Sequence, residues 1–273
     1  AAANEINGLT LGGVGSGTVL DHIEVVSNLD DGIEFFGGTA SITNALVAFA
    51  GDDSFDWDQG YRGMNNANWL AIQDVPNGIG DRGGELDGDD SDDGNVSADE
   101  MPFSTPSVTG WTVVSAGNNQ GFLFRNGSGG NVTNALITGT NEGIEIEHKA
   151  DEVEDAFDRW LAGELNLSNI KVVGGTDAID YDGSIVADGD AQLDAYASAM
   201  ALCWTQVLTS TTRSRSTRQV NWPQTSSTST VQTAQATASH SDGPSVTSVK
   251  CSRLHPTLTT SLAIVPHSQT APR

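Results

Sequence analysis

Five stretches of the chain are variants of one another. They are GTVLDHIEVVSNLDDGIEFFGG (17–38), SITNALVAFAGDDSFDWDQG (41–60), SVTGWTVVSAGNNQGFLFRNG (107–127), NVTNALITGTNEGIEIEHK (131–149) and LNLSNIKVVGGTDAIDYDG (165–183). Each holds an alternating apolar stretch, a short Gly, Asn or Asp turn, and a second alternating stretch. Alternation at period two is the mark of a half-buried strand. Two strands in about 22 residues cannot enclose a core alone, so such units must stack on their neighbours. A composition with 31 glycines but 6% aromatics and 37% hydrophobic residues suits a turn-rich β-architecture better than a helical bundle. The length of 273 residues allows one large all-β domain or two smaller ones.

Stacking predicts columns. Ile33, Phe55, Phe122, Ile144 and Ile179 fall at one position of the second strand, and Phe35, Trp57, Phe124, Ile146 and Tyr181 two residues on, as two inward rows of a shared core. In the first strand Asp21, Asn44, Asn134 and Asn169 share a column in which Gly110 is the exception; stacked amides of this kind can bond to one another. Between 60 and 107 the pattern loosens, but NWLAIQD and GGELDG read as the strands of another coil, with residues 88–106 an acidic insertion. Trp57 belongs to the core, whereas Tyr61 and Trp69 are expected at a coil edge.

Coils of this length, with an Asn column and stacked Ile/Phe rows, resemble right-handed parallel β-helix proteins of the pectin-lyase-like superfamily. NEINGLTLGGVGSGTVLDHIEVVSNLDDGIEFFGG and GDDSFDWDQGYRG are similar to secreted or surface-anchored bacterial β-helix proteins of largely unassigned role. The resemblance covers roughly residues 4–190. It implies an all-β, right-handed parallel β-helix over 1–190, and a secreted, extracellular or cell-surface bacterial setting. The superfold carries lyases, hydrolases and adhesins alike, so it does not imply one activity.

Two helices are expected beside the stack. ADEVEDAFDRWLAGE (150–164) places Val153, Phe157, Trp160 and Leu161 on one face and reads as an excursion between coils. Leu193, Tyr196, Ala197 and Met200 have helical spacing, which predicts a helix over 191–202 capping the open strand edges. From Cys203 the character changes: of 71 residues in 203–273, 28 are Ser or Thr. This irregular tail is either a flexible, glycosylated extension or sequence out of frame with the rest. No site is assigned there, and His240, His255 and His267 are set aside with it. Cys203 and Cys251, the two cysteines, leave a disulfide open.

Charge narrows the partners. The tail holds one of the 36 acids and six of the 12 Lys/Arg, leaving 35 and six in residues 1–202, within a net charge of −24. Such a body repels nucleic acids and anionic lipid, so nucleic-acid binding is excluded as a function class. No apolar run of bilayer length occurs, so no membrane span is expected. Divalent cations are the natural partners, and a polysaccharide or cell-surface glycan fits the fold.

Two acidic features carry candidate chemistry. Asp89, Ser91, Asp93, Gly94, Asn95, Ser97 and Glu100 match the twelve-position calcium loop: oxygen donors at one, three, five, seven, nine and twelve, and Gly at six for the sharp turn. Ca2+ is therefore the expected cofactor, held by Asp89, Ser91, Asp93, Asn95, Ser97 and Glu100, on a β-scaffold instead of between helices. The alternative is a solvated acidic insertion. The second feature is a carboxylate ladder: Asp31, Asp53, Glu142 and Asp177 before the second strand, Glu34, Asp56, Glu145 and Asp180 outward on it, and Asp58, Glu147 and Asp182 two residues on. Coils stack at about 4.8 Å. Like charges at that spacing repel by about 0.9 kcal/mol in water and about four times that at an effective dielectric near 20. Cations between rungs or retained protons would relieve the repulsion. Arg62, Arg82 and Arg125 are expected to pair with nearby carboxylates.

Asp52 and Asp53 in AGDDSF are similar to the Gly-Asp-Asp element of polygalacturonase-type glycoside hydrolases, where paired carboxylates act as acid and base. The Gly-His-Gly and Arg-Ile-Lys elements of that family are absent. The catalytic candidates are Asp52, Asp53 and Asp56, with His148 as base or substrate contact, although a histidine at a strand end is more often structural. The leading expectation is a calcium-stabilised binding or structural module associated with carbohydrate. A polysaccharide hydrolase or lyase using Asp52, Asp53 and neighbouring acids is the second. A filament or adhesin unit self-associating through its coil ends is the third.

Overall fold

In a computed structural model, residues 6–74, 77, 79–88, 102–116, 120–149 and 154–199 are described, with the backbone of strands at 203–205, 207–208, 245–246 and 250–251. The chain divides into one unit of residues 1–207 and 246–253 and a second of 208–245 and 254–273. The first unit is a parallel β-helix, and the second is almost wholly outside the described residues.

Its strands alternate between two stacked sheets. Sheet A orders β1 (Leu9–Gly12), β3 (Ile33–Phe36), β5 (Phe55–Asp58), β7 (Gly84–Asp87), β9 (Gln120–Arg125), β11 (Glu142–His148) and β13 (Asp177–Gly183). Sheet B orders β2 (Val19–Val26), β4 (Ser41–Ala48), β6 (Asn66–Ile72), β8 (Ser107–Val114), β10 (Gly130–Thr138), β12 (Leu165–Val173) and β14 (Cys203–Thr205). All these neighbours pair in parallel. NANWLAI and GELD are β6 and β7, so the loosely patterned region is a full coil. The expected rows hold: Ile33 pairs with Phe55, Phe122 with Ile144, and Ile144 with Ile179. A coil advances 22 residues from Ile33 to Phe55 and from Phe122 to Ile144.

The interior is an aromatic stack. Phe35 lies 4.2 Å from Tyr61, Phe55 4.5 Å from Trp69, Trp69 5.0 Å from Trp111, and Trp111 4.3 Å from Phe122, centroid to centroid. Tyr61 and Trp69 are therefore core residues, not coil-edge residues. Their polar ends are paired: Tyr61 Oη donates to Ala40 O and Trp69 Nε1 to Ile42 O.

The asparagine column is corrected by one position at its base. Every sheet-B strand from β2 to β12 bends through one left-handed residue: His22, Asn44, Asn68, Gly110, Asn134 and Asn169, with φ between 51° and 76°. Asn tolerates this conformation and Gly adopts it freely, which accounts for the column and for its exception. Asp21 stands one residue before His22 and receives the ladder's end: Asn44 Nδ2 donates to Asp21 Oδ1 at 2.8 Å and Asn68 Nδ2 to Asn44 Oδ1 at 3.0 Å. Above Gly110 the ladder resumes from Thr109 Oγ1 through Asn134 to Asn169. A Cβ at Gly110 would approach Asn68 Oδ1 to 3.2 Å, a side-chain atom able to move. Gly110→Asn should therefore melt within a few degrees of the wild type, whereas Gly110→Val, branched at a left-handed site, should cost at least ~1–2 kcal/mol in denaturant unfolding.

The first helix is shorter than expected, and Met200 of the second lies outside the described residues. α1 spans Ala156–Leu161 in place of 150–164, because Asp155 starts it: its side chain accepts from the Ala156 N–H, and Asp158 reaches back to the Asp155 N–H. Phe157 is buried and Trp160 packs against the core, but Leu161 is exposed, and Val153 lies outside the described residues. α2 spans Gly189–Ala199 and buries Leu193 completely. It covers the outer strand of sheet A: Asp190 Oδ1 accepts the free Tyr181 N–H, and Tyr181 Oη accepts the Val186 N–H. The stack runs past the boundary expected at 190, because β14 pairs with β12. A short strand at Lys250–Cys251 runs antiparallel to β14, with Cys203 and Cys251 opposite in backbone register.

Candidate functional site

The outer face of sheet A gathers the acids into three rows, as the strand register requires. In the turn row, Asp31 Oδ1 accepts the Asp53 N–H at 2.9 Å and Asp53 Oδ1 accepts the Arg82 N–H at 2.5 Å. Each carboxylate thus caps the backbone of the next coil, which is why both are buried. The middle row runs Glu34, Asp56, Glu85, Leu123, Glu145, Asp180. The third includes Asp58, Asp87 paired with Arg125, and Glu147 paired with Asp182.

Two arginines interrupt the rows. Arg82 Nη1 lies 2.8 Å from Asp81, 2.9 Å from Glu85 and 3.8 Å from Asp53. Arg125 lies 3.1 Å from Glu85 and 2.6 Å from Asp87. With Leu123 they divide the face into two acidic islands. In one, the ligand atoms of Asp30, Asp31 and Asp52, of Asp31, Glu34 and Asp56, and of Asp52, Asp53 and Asp81 lie within 4.8 Å of one another. In the other, Glu142, Glu145 and Asp180 do so, with Gln120 Nε2 donating to Glu145 at 2.7 Å.

Electrostatics follow from this crowding. Burial, reinforced by neighbouring carboxylates, pushes Asp31 and Glu34 up to about 7. Asp87 rises to about 7 through burial despite Arg125. Burial raises Asp53 well above the carboxylate range, with Glu85 adding to it, and raises Asp56 likewise, with Asp87 adding. Asp56 Oδ1 is buried and has no hydrogen-bond partner among the described residues. Carboxylate oxygens grouped this closely, one of them without a hydrogen-bond partner, are the hard donors a divalent cation such as calcium takes. An open cavity of about 390 Å³, lined by Asn7, Thr10, Asp30, Asp31, Glu34 and Phe36 among others, borders the first island.

The structure brings Asp52, Asp53 and Asp56 to one face, with Asp52 exposed and Asp53 buried. It does not bring His148 to them. His148 ends β11, three strands from β5 in sheet A, which is about 14 Å at the spacing of stacked strands. There it is buried, its ring 5.0 Å from Phe157 and its Nδ1 2.9 Å from Tyr181 Oη. That is the environment of a core histidine. Asp89, Ser91, Asp93, Asn95, Ser97 and Glu100 lie outside the described residues. The root of their insertion is described: Gly88 O accepts from the Gly60 and Ser104 N–H groups at 3.2 and 3.0 Å. Glu85, Asp81 and Arg82 complete the island and were missing from the aligned segments; GGELDG, set against GIEFFGG, carries the signal for Glu85.

A family model described as a pectate-lyase like beta helix domain matches residues 1–241, reaching into the Ser/Thr-rich tail. No curated protein and no solved structure matches the chain. Among the described residues no helix is long and apolar enough to cross a membrane.

Proposed function

The chain belongs to the pectate-lyase like beta helix domain family, and on that premise we propose that it is a secreted or surface-displayed bacterial module that binds polysaccharide through its acidic sheet face, with calcium held by that face. The observation that carries the reading is the island of Asp31, Glu34 and Asp56 on consecutive coils, whose ligand atoms lie within 4.8 Å while Asp56 Oδ1 lacks a partner. A bound cation would supply positive charge to a face that otherwise repels anionic sugars. The 89–100 loop is proposed as a second, structural calcium site.

A second reading is a hydrolase or lyase. It is favoured by the grouping of exposed Asp52 with buried Asp53 and half-buried Asp81, carboxyls close together in unlike environments, as an acid–base pair requires. Incubation with a panel of neutral and acidic polysaccharides separates the two. The binding module should retain an acidic polymer with calcium, lose it with chelator, and release no shorter products. Shortened chains whose appearance stops in Asp53→Ala would instead assign catalysis. Asp89→Ala and Glu100→Ala should lower the calcium-dependent part of the melting temperature by several degrees; unchanged melting would remove the loop from the proposal.

A further inference from the structure

Charge is distributed between the two sheets in opposite ways. β4, β6, β8 and β10, four consecutive strands of sheet B, contain no Asp, Glu, Lys, Arg or His, in a chain carrying 36 acids. On their outer face the register sets one row of Glu24, Leu46, Leu70, Thr112, Leu136 and Lys171. A neighbouring row includes Ile72, Val114 and Val173. The leucines are half-buried by one another, while Glu24 and Lys171, at opposite ends of the row, are exposed.

We propose that this face is a self-association surface, covered by sheet B of a second copy of the chain in a two-fold dimer. The area is sufficient. Six strands at about 4.8 Å and eight residues at about 3.3 Å give a face of about 750 Å² per copy, close to the roughly 800 Å² each partner contributes to a standard interface. The charges select the arrangement. A two-fold axis between the faces, parallel to the strands and centred between β6 and β8, sets β2 of one copy over β12 of the other. Height along the strands is preserved, so Glu24 meets Lys171 of the second copy, Leu46 meets Leu136, and Ile72 meets Val114. The axis along the stack would instead set β2 over β2 and bring acid against acid. Residues 1–202 carry 35 acids against six Lys/Arg, so like surfaces of two such bodies repel, and the uncharged face is the part of them that meets its like without that cost. The coil ends fit association less well, because α2 and the Lys250–Cys251 strand occupy the C-terminal edges.

Sedimentation equilibrium of the full chain tests this. A dimer is expected at about 100 µM, one weaker by at least tenfold, or about 1.4 kcal/mol, in either E24K or K171E, and one restored to within about threefold of the wild type in E24K/K171E. L46D should be monomeric. All four variants change outward side chains and should melt within a few degrees of the wild type. A wild-type monomer at that concentration overturns the proposal. So does a dimer indifferent to L46D but lost in V19K, which would place contact at the N-terminal coil end. A double swap no better than either single swap also overturns it.

Discussion

Trp111→Ala is expected to cost about 3–5 kcal/mol, a large share of the 5–15 kcal/mol that holds a domain folded. Trp111 is fully buried and touches aromatic rings from its own coil and two others: Phe55, Trp57, Trp69 and Phe122 all have centroids within 6.0 Å. Neighbours locked in stacked strands cannot collapse into the space left behind. The indole nitrogens separate a second effect. Trp69 Nε1 donates to Ile42 O at 3.0 Å, whereas Trp111 Nε1 has no acceptor among the described residues. Trp69→Phe leaves a buried carbonyl short of a donor, and Trp111→Phe removes a donor that was already unpaired. Trp69→Phe should therefore be the costlier by about 1–2 kcal/mol in denaturant unfolding. Equal losses would mean that packing alone decides both positions.

The second large effect is on pH. Asp31 and Asp87, both buried, are raised from 3.8 to about 7. Unfolded, they return to the ordinary carboxylate range near 4. Between about pH 4 and 7 the folded chain then binds more protons than the unfolded one, so unfolding free energy falls as pH rises. Each fully shifted group contributes about 1.4 kcal/mol per pH unit at most, less where water reaches it, as at half-buried Glu34. Below about pH 4 these groups are protonated in both states and their slope vanishes. Asp21 acts in the opposite sense there: hydrogen bonds from Thr43 and Asn44 lower it to about 2, so its contribution is lost as pH falls from 4 to 2. Without added cations the melting temperature should therefore peak near pH 4–5 and decline through neutrality. Asp31→Asn keeps an oxygen for the Asp53 N–H and removes one titration, so it should flatten the decline and raise melting at pH 8. A profile rising from pH 5 to 8 would contradict this assignment.

Much of this was legible because a solenoid turns sequence period into vertical neighbours. Ile33, Phe55, Phe122, Ile144 and Ile179 align by eye because the strand–turn–strand segments that hold them are all 19 to 22 residues long. The coil of β6 and β7 was harder, since excursions separate its strands from those beside it. A glycine signal marks it nonetheless: Gly32 and Gly83 stand just before β3 and β7, and Gly121 and Gly143 are the second residues of β9 and β11. There a Cβ would lie within 2.7 Å of Val47, Val113, Ile137 or Val172 and of a neighbouring carbonyl. That column fixes GGELDG in register and brings Glu85 into the ladder. Asp21 misled by one residue because an acid beside Asn44 on the next rung looks like a member of the column, when the left-handed position is His22. His148 misled for a different reason: alignment places a residue along a strand but does not count the rungs between it and a partner. The aromatic interior was underestimated at Tyr61 and Trp69, whose polar atoms find backbone and amide partners inside the stack. The uncharged outer face of sheet B is plain in the sequence of β4, β6, β8 and β10 once their common orientation is known.

The acidic face as a calcium-holding surface is tested most directly by calorimetric titration of calcium into the protein at pH 8 and at pH 5, followed by melting of each sample. Binding at pH 8 should release heat at a defined stoichiometry and raise the melting temperature by several degrees. At pH 5, where protons occupy Asp31 and Glu34, binding should be at least tenfold weaker. Asp56→Asn should remove one site while leaving the fold intact. Calcium that neither binds nor stabilises at pH 8, or that binds Asp56→Asn as well as the wild type, would contradict the assignment.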